Sequence, residues 1–330
     1  MFNVIGAGLL AVPVSFDQTS LFPGILLLIM MGCLSAFSMF LLTICSQRCQ
    51  RFSYKELVEY SFENPKTGRI FEAILALYTF GILISFVRVI GDIMPEVTRG
   101  IFNHDGVFSH PEFWIPVTGV IFIAMSTLES LAALKYSTLT GFVAMLYLGT
   151  IVGYRFFDGS YREAAGEPSA SDAPLVAHDV RYMHLSVRLF SAVPVLCSCF
   201  SCVYNVPVFF QGLHDRTPKR MMQAVTIFLG FSVSFYALVG TLGVLTFGER
   251  RIEHAHGDLI NNYRDDDHAF TAARIGLYIQ LLCRFPLTCM ACRRACNYVL
   301  FGELKQNRLI FVVQGFILVA CCTLGYFVPN

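Results

Sequence analysis

Long apolar runs alternate with short polar segments along this chain. A predominantly apolar run of about 20 residues is long enough to cross a bilayer as an α-helix. Residues 2–16 form an apolar stretch that is short for a full crossing. The pattern predicts an all-α, polytopic membrane helix bundle of about nine spans, of which the full-length ones are 22–46, 69–98, 113–132, 137–157, 188–213, 221–247, 269–292 and 309–328.

The composition agrees with this class of protein. Only 14% of the 330 residues are charged, and the mean hydropathy is +0.60, whereas soluble domains average about 25% charged residues. A net charge of +1 gives no reason to expect a nucleic-acid partner. The 12 cysteines lie in apolar runs or in basic loops, so we expect no disulfide framework, no metal site and no cofactor.

The distribution of Lys and Arg predicts the orientation. Cytosolic loops of membrane proteins carry the excess of basic residues. Their density is higher if the first segment runs outward, which places the loops 47–68, 133–136, 214–220 and 293–308 inside. The polar segment 158–187 then lies outside and divides five apolar segments from four.

Two of the apolar segments carry residues that interrupt helices. The first contains Gly6, Gly8 and Pro13, and the sixth contains Pro194 and Pro207 with the polar residues Ser198, Ser201, Tyr204 and Asn205 between or beside them. The two segments are five spans apart, so a repeated five-span unit would be inverted. Interrupted helices in matching positions of two inverted halves indicate a transporter site near the middle of the membrane. The alternative is that Gly and Pro only allow close helix packing.

Such a break offers two kinds of backbone group. Free N–H groups at a helix N-terminus attract a carboxylate, and free carbonyls at a C-terminus attract an ammonium group. Together they suit a zwitterion such as an amino acid. The G-x-G-x-x-A spacing at residues 6–11 also matches a dinucleotide-binding loop, but no acidic residue follows about 20 positions later, as that loop requires.

The motif "NVIGAGLLAVPVSF" resembles the first-helix signature of the amino acid/auxin permease family, which is related to the sodium-coupled neutral amino acid transporters. Further stretches resemble the family in the same order along the chain: "RFSYKELVEY", "VRVIGDIMP", "ESLAALKYST", "YNVPVFFQGLHDRTPKRM", "GERR" and "RFPLTCMACRR". The resemblance implies a leucine-transporter-type 5+5 inverted repeat. Residues 1–157 would hold helices 1–5 and residues 188–330 helices 6–9, on either side of the outer loop 158–187.

The resemblance also implies roles for individual residues. The backbone of Gly6, Ala7, Gly8 and Leu9 would receive the substrate carboxylate. The unwound part of helix six would receive the amine and the side chain, with Phe200, Ser201, Tyr204 and Asn205 as the candidate residues. Tyr78, Gly81 and Ser85 on helix three would line the path.

The sequence departs from the family pattern at its ends and at the coupling site. Only five residues precede Gly6, and helix 10 onward is absent, so we expect a chain truncated at both ends. Sodium-coupled members tend to place an Asn four residues before the first glycine of the break. At that position this chain has Phe2, and Asn3 is one residue off. Sodium-coupled members also tend to place a Thr two residues before the helix-eight proline, where this chain has Arg284. Arg284 lies midway along a span, where a charge is rare and usually functional. Its fixed charge could replace a bound sodium ion, or it could simply snorkel or face a wet cavity.

Arg88 and Asp92 on helix three are spaced i, i+4 and can therefore pair. Such a pair could orient a charged substrate or carry protons, or it could be structural.

These observations predict a secondary transporter that moves amino acids by alternating access and is proton-coupled or uncoupled rather than sodium-coupled. Its partners would be the amino acid substrate, the lipid bilayer and protons as candidate coupling ion. The alternative is a non-transporting amino-acid sensor, or a truncated remnant, with the same fold. No set of catalytic residues suggests an enzyme. The sequence fits the plasma membrane and the vacuolar or lysosomal membrane equally well.

Overall fold

Helices account for most of the described part of the chain. The computed structural model describes residues 8–102, 106–126, 131–159, 161, 180–184, 187–200, 203–254, 259–264, 267–301 and 309–327. Within these residues the α-helices are α1 (Gly8–Thr19), α2 (Leu21–Cys49), α3 (Tyr54–Phe62), α4 (Pro65–Phe102), α5 (Pro111–Ser126), α6 (Leu131–Asp158), α7 (Leu189–Cys199), α8 (Val206–Gln211), α9 (Pro218–His254), α10 (His268–Phe301) and α11 (Leu309–Phe327). No strand occurs in these ranges.

The predicted all-helical class is confirmed, and most of the predicted spans coincide with helices. Six described segments are long and apolar enough to cross a membrane: Leu21–Cys49, Pro65–Ile101, Leu139–Asp158, Leu189–Gln211, Pro218–Gly248 and His268–Phe301. The predicted spans 113–132 and 309–328 correspond to shorter apolar helices, Pro111–Met125 and Gly315–Gly325. The count of nine spans and the 5+5 inverted repeat remain predictions.

The interruption predicted in the sixth apolar segment is present. Helix α7 ends at Cys199, and Phe200 leaves the helical region with φ −111° and ψ 24°. A 3₁₀ turn at Val203–Asn205 precedes α8, and Pro207 lies in the first turn of α8, where its missing N–H costs no hydrogen bond. Pro194 lies inside α7 without ending it. We call Phe200 and Val203–Asn205, the described residues between the two helices, the α7–α8 break.

Buried apolar side chains form two clusters. The first joins α1, α2, α7, α8 and α9 with the C-terminal halves of α4 and α6 and the N-terminal half of α10. The second joins α4, α5, α10 and α11, where the rings of Phe122 and Phe285 stack with 3.5 Å between their centroids. The two clusters therefore share α4 and α10 as the helices that connect them.

Helix α1 packs closely against α9. A Cβ atom at Gly240 would lie only 2.6 Å from Val12 and 2.7 Å from Phe16, both of which are fully buried. Small residues let helix backbones approach in a membrane, where packing rather than water exclusion drives helix association. Gly240 therefore allows the close contact that positions α1.

The described end of the outer segment 158–187 is tied to α2. The N–H groups of Leu21 and Phe22 donate to the carbonyls of Arg181 and Tyr182, both at 3.1 Å. The Ser20 hydroxyl donates to the His184 carbonyl at 2.9 Å. These contacts satisfy backbone donors that the first turn of α2 leaves free.

Candidate functional site

The first and sixth apolar segments meet at Gly8 and Cys199. The Cys199 Sγ donates to the Gly8 carbonyl at 3.5 Å. A Cβ atom at Gly8 would lie 3.0 Å from that sulfur and 3.2 Å from the Cys199 Cα, so residue 8 has no room for a side chain unless a neighbour moves. The start of the described part of α1 thereby lies against the last turn of α7, whose C-terminal end carries the negative pole of the helix dipole.

Helix α9 holds the end of α7 in place. The Tyr236 hydroxyl donates to the Cys199 carbonyl at 3.3 Å, and the Tyr236 ring lies edge-on to Phe200 with centroids 5.9 Å apart. The Phe200 N–H donates back to the Cys197 carbonyl at 3.2 Å. The carbonyl at the break is thus oriented by a side chain from a neighbouring helix.

The predicted path residues on α4 share one helical face. The spacing between Tyr78, Gly81 and Ser85 is three and then four residues, and all three are exposed. The Tyr78 ring lies edge-on to the Tyr204 ring of the α7–α8 break, with 6.3 Å between the ring centroids. The Ser85 hydroxyl donates to the Gly81 carbonyl at 3.2 Å. The structure therefore brings Tyr78 to the break and places Gly81 and Ser85 on the same accessible stripe.

Arg88 and Asp92 continue this stripe toward the outer end of α4. Their Nη2 and Oδ1 atoms are 3.5 Å apart, and each side chain is about one quarter exposed. The predicted pairing is present. Whether the pair has a role in transport stays a prediction.

A cavity of about 350 Å³ adjoins the break, and none of the described residues that line it is charged. Its wall comes from α2, the start of α3, the inner half of α4 and the break: Met31, Leu34, Ser35, Ser38, Tyr54, Phe71, Ile74, Leu75, Tyr78, Cys197, Phe200, Val203 and Tyr204. The buried Ser35 hydroxyl has no hydrogen-bond partner within the described part of the chain. Burial raises the pKa of Tyr54, so its phenol stays neutral.

Sequence reasoning missed the contribution of α2 and α3 to this cavity. Ser35 and Ser38, spaced i, i+3 in an otherwise apolar span, were the available signal. Among the predicted residues, Phe200 and Leu9 are buried, and Asn205 is partly buried and directly precedes α8 without a side-chain capping bond. Asn3, Gly6, Ala7 and Ser201 lie outside the described residues.

Arg284 is buried in α10, with 9% of its surface exposed. Its guanidinium lies over the Phe86 ring, 5.3 Å from the centroid. The charge predicted for mid-span therefore lies within a packed interface between α10 and α4.

The whole chain, residues 1–330, matches the family model described as transmembrane amino acid transporter protein. The chain belongs to this family. Family members are transporters rather than enzymes, and with its apolar helices the chain is a multi-pass membrane protein.

Individual relatives are about one quarter identical to this chain over the aligned residues. It is 25% identical over 336 residues to vacuolar amino acid transporter 5 of Saccharomyces cerevisiae, an alignment that covers 94% of this chain and 69% of the relative. It is 25% identical over 304 residues to vacuolar amino acid transporter 5 of Schizosaccharomyces pombe, covering 89% and 66%. It is 26% identical over 298 residues to sodium-coupled neutral amino acid transporter 7 of Mus musculus, covering 86% and 59%. The chain thus spans about two thirds of the length of these relatives or less.

Proposed function

We propose that this chain is a secondary transporter that moves amino acids across a membrane by alternating access. The observation that carries the proposal is the meeting of Gly8 and Cys199 beside the cavity. The C-terminal end of α7 at this point offers carbonyls to an ammonium group, and the helix break that the sequence predicts before Gly8 would offer N–H groups to a carboxylate. Family membership supports the same function, because the relatives are named amino acid transporters.

The cavity favours substrates with an uncharged side chain. Its lining contains no charged residue, and transfer of an unpaired charge into such surroundings costs several kcal/mol or more. Three tyrosines and the unpartnered Ser35 hydroxyl offer a few polar contacts on an otherwise apolar wall. The mouse relative is named a neutral amino acid transporter, which agrees with this substrate class.

Arg284 supports coupling to protons, or no coupling, in preference to sodium. A buried guanidinium raises the free energy of any cation bound near it, because the interior screens charges less than water does. A fixed positive charge can instead supply what a bound sodium ion would supply.

Uptake by the full chain in proteoliposomes tests these proposals. We expect saturable uptake of radiolabelled neutral amino acids that persists when choline replaces sodium, and little uptake of Lys or Glu. Loss of uptake in choline would contradict the coupling proposal, while saturable binding without any uptake would instead support the amino-acid sensor.

A pair of variants on α7 and its break locates the site. Phe200→Ala should weaken uptake, because Phe200 lines the cavity. The matched control is Phe190→Ala, since the Phe190 side chain is 75% exposed on α7 and does not line the cavity. Equal effects of the two substitutions would argue against the cavity as the substrate site.

A further inference from the structure

A second buried arginine lies near the outer end of α10, away from the cavity. Arg274 has no exposed surface at all. Its Nη2 donates to two backbone carbonyls of the segment before α10, those of Ile260 at 3.3 Å and Tyr263 at 2.9 Å. Its Nε lies 3.1 Å from Glu96 Oε2 on α4. One guanidinium therefore connects α4, α10 and the segment before α10, which begins with a 3₁₀ helix at Leu259–Asn262.

The segment Leu259–Tyr263 fills the space between three helices. Leu259, Ile260 and Tyr263 are all buried. A Cβ atom at Gly243 of α9 would lie 2.9 Å from Leu259 and 3.1 Å from Pro13 of α1, so these three residues meet at one point. The segment therefore packs directly against the outer half of α1, the helix whose first turn forms the candidate site.

Aromatic contacts and a second ion pair secure the same region. The Tyr263 ring stacks on Phe270 with centroids 3.4 Å apart and contacts Tyr161 edge-on at 4.9 Å. Arg155 Nη2 lies 2.7 Å from Asp267 Oδ1, and the Tyr161 hydroxyl donates to Asp267 Oδ2 at 2.8 Å. Together the ion pair and the aromatic contacts link α6, Tyr161, the segment and the start of α10.

We propose that Arg274, held by Glu96, is a positioning residue that fixes Leu259–Tyr263 across the outer end of α1. Moving this segment away from α1 requires the guanidinium to release the Ile260 and Tyr263 carbonyls. Separating a buried charge from its partner is strongly unfavourable. The contact therefore sets how often the segment Leu259–Tyr263 moves away from α1. The proposal concerns the conformational equilibrium and holds whichever solute the chain moves.

Hydrogen–deuterium exchange of the full chain in lipid nanodiscs tests the proposal. Glu96→Gln keeps the shape of the side chain but removes the charge that holds the guanidinium. We expect the amides of residues 259–264 to exchange at least about tenfold faster, because loss of a charge-assisted contact changes a local opening equilibrium by that order. The middle of α9 should keep its wild-type exchange rates.

Two further variants separate the parts of the contact. Glu96→Asp retains the charge on a shorter side chain and should give a smaller increase. Arg274→Lys keeps the positive charge, but a single ammonium group does not reproduce the guanidinium fork that contacts two carbonyls and a carboxylate, so exchange in 259–264 should again rise.

The control removes an ion pair that is exposed. Asp215→Asn deletes the partner of Arg220, 2.7 Å away, and should leave residues 259–264 unchanged. Wild-type exchange of 259–264 in the Glu96 variants would overturn the proposal, and so would a uniform increase along the whole chain, which would indicate a merely structural pair. If Glu96→Gln does not fold, Glu96→Asp decides between these outcomes.

Discussion

Gly8→Ala tests how closely α1 and α7 approach each other. The added methyl group would lie 3.0 Å from the Cys199 Sγ and 3.2 Å from its Cα, whereas unstrained carbon contacts lie near 3.5–4.0 Å. The Cα belongs to the backbone of α7 and cannot rotate away. Overpacking of this kind typically costs about 1–3 kcal/mol.

The assay is thermal unfolding of the purified chain in detergent or nanodiscs. The matched control is Gly81→Ala, because a Cβ atom at Gly81 meets nothing within 4 Å. Replacing a mid-helix glycine by alanine stabilises a helix by about 0.5–1 kcal/mol, so the control should unfold at the wild-type temperature or slightly above it. Gly8→Ala should lower the midpoint by several degrees.

A double-mutant cycle assigns the loss to the contact. In a Cys199→Ala background the sulfur is gone but the Cα remains, so Gly8→Ala should cost less there, with a coupling of at least about 0.5 kcal/mol. The reasoning is refuted if Gly8→Ala is as stable as Gly81→Ala, or if its cost is the same in both backgrounds.

Two further predictions concern polar contacts near the ends of helices. Tyr236→Phe removes the hydroxyl that donates to the Cys199 carbonyl and should cost about 0.5–1.5 kcal/mol in thermal unfolding, with reduced amino acid uptake because the carbonyl at the break is no longer oriented. Burial alone would raise the pKa of Asp267, but the hydrogen bonds from Arg155 and Tyr161 outweigh burial and hold that pKa below its usual value of about 3.9. The folded carboxylate is therefore stabilising above about pH 4 and loses this contribution as the pH falls through its lowered pKa. The difference in the thermal unfolding midpoint between wild type and Asp267→Asn should be constant near neutral pH and shrink in acid. A difference that grows in acid would contradict this prediction.

Local features of the sequence predicted the α7–α8 break well. Pro207 cannot continue a helix from the residues before it, and the polar run before it offers the backbone other partners. Tyr78, Gly81 and Ser85 came instead from the resemblance to the family, and their helical spacing places them on one face of α4 in the structure.

Contacts between distant residues were beyond that reasoning. Gly8 and Cys199 are 191 positions apart, and the sequence pattern does not reveal which thiol fits against which glycine. Arg274 was overlooked although it lies inside the apolar run 269–292, where a charge is rare. Its partner Glu96 lies near the end of a different apolar run, so only the fold brings the two together.

The two apolar clusters pack tightly together at one end of the molecule, whereas a cavity lies at the other end. At the outer end, Ile93 and Val97 of α4 and Phe270 and Leu277 of α10 belong to the cluster of α1 and α9, and Arg274 lies at this junction. In the inner half, the cavity separates the α4 residues Phe71, Ile74 and Tyr78 from α2 and the break. With the predicted orientation, the cavity therefore lies toward the cytosol, and the packed junction lies away from it. If the two clusters move relative to each other, closing the inner cavity and releasing the Arg274 contacts would be parts of one motion. A ligand that fills the cavity holds it open, so we expect it to decrease exchange in residues 259–264 of the wild-type chain.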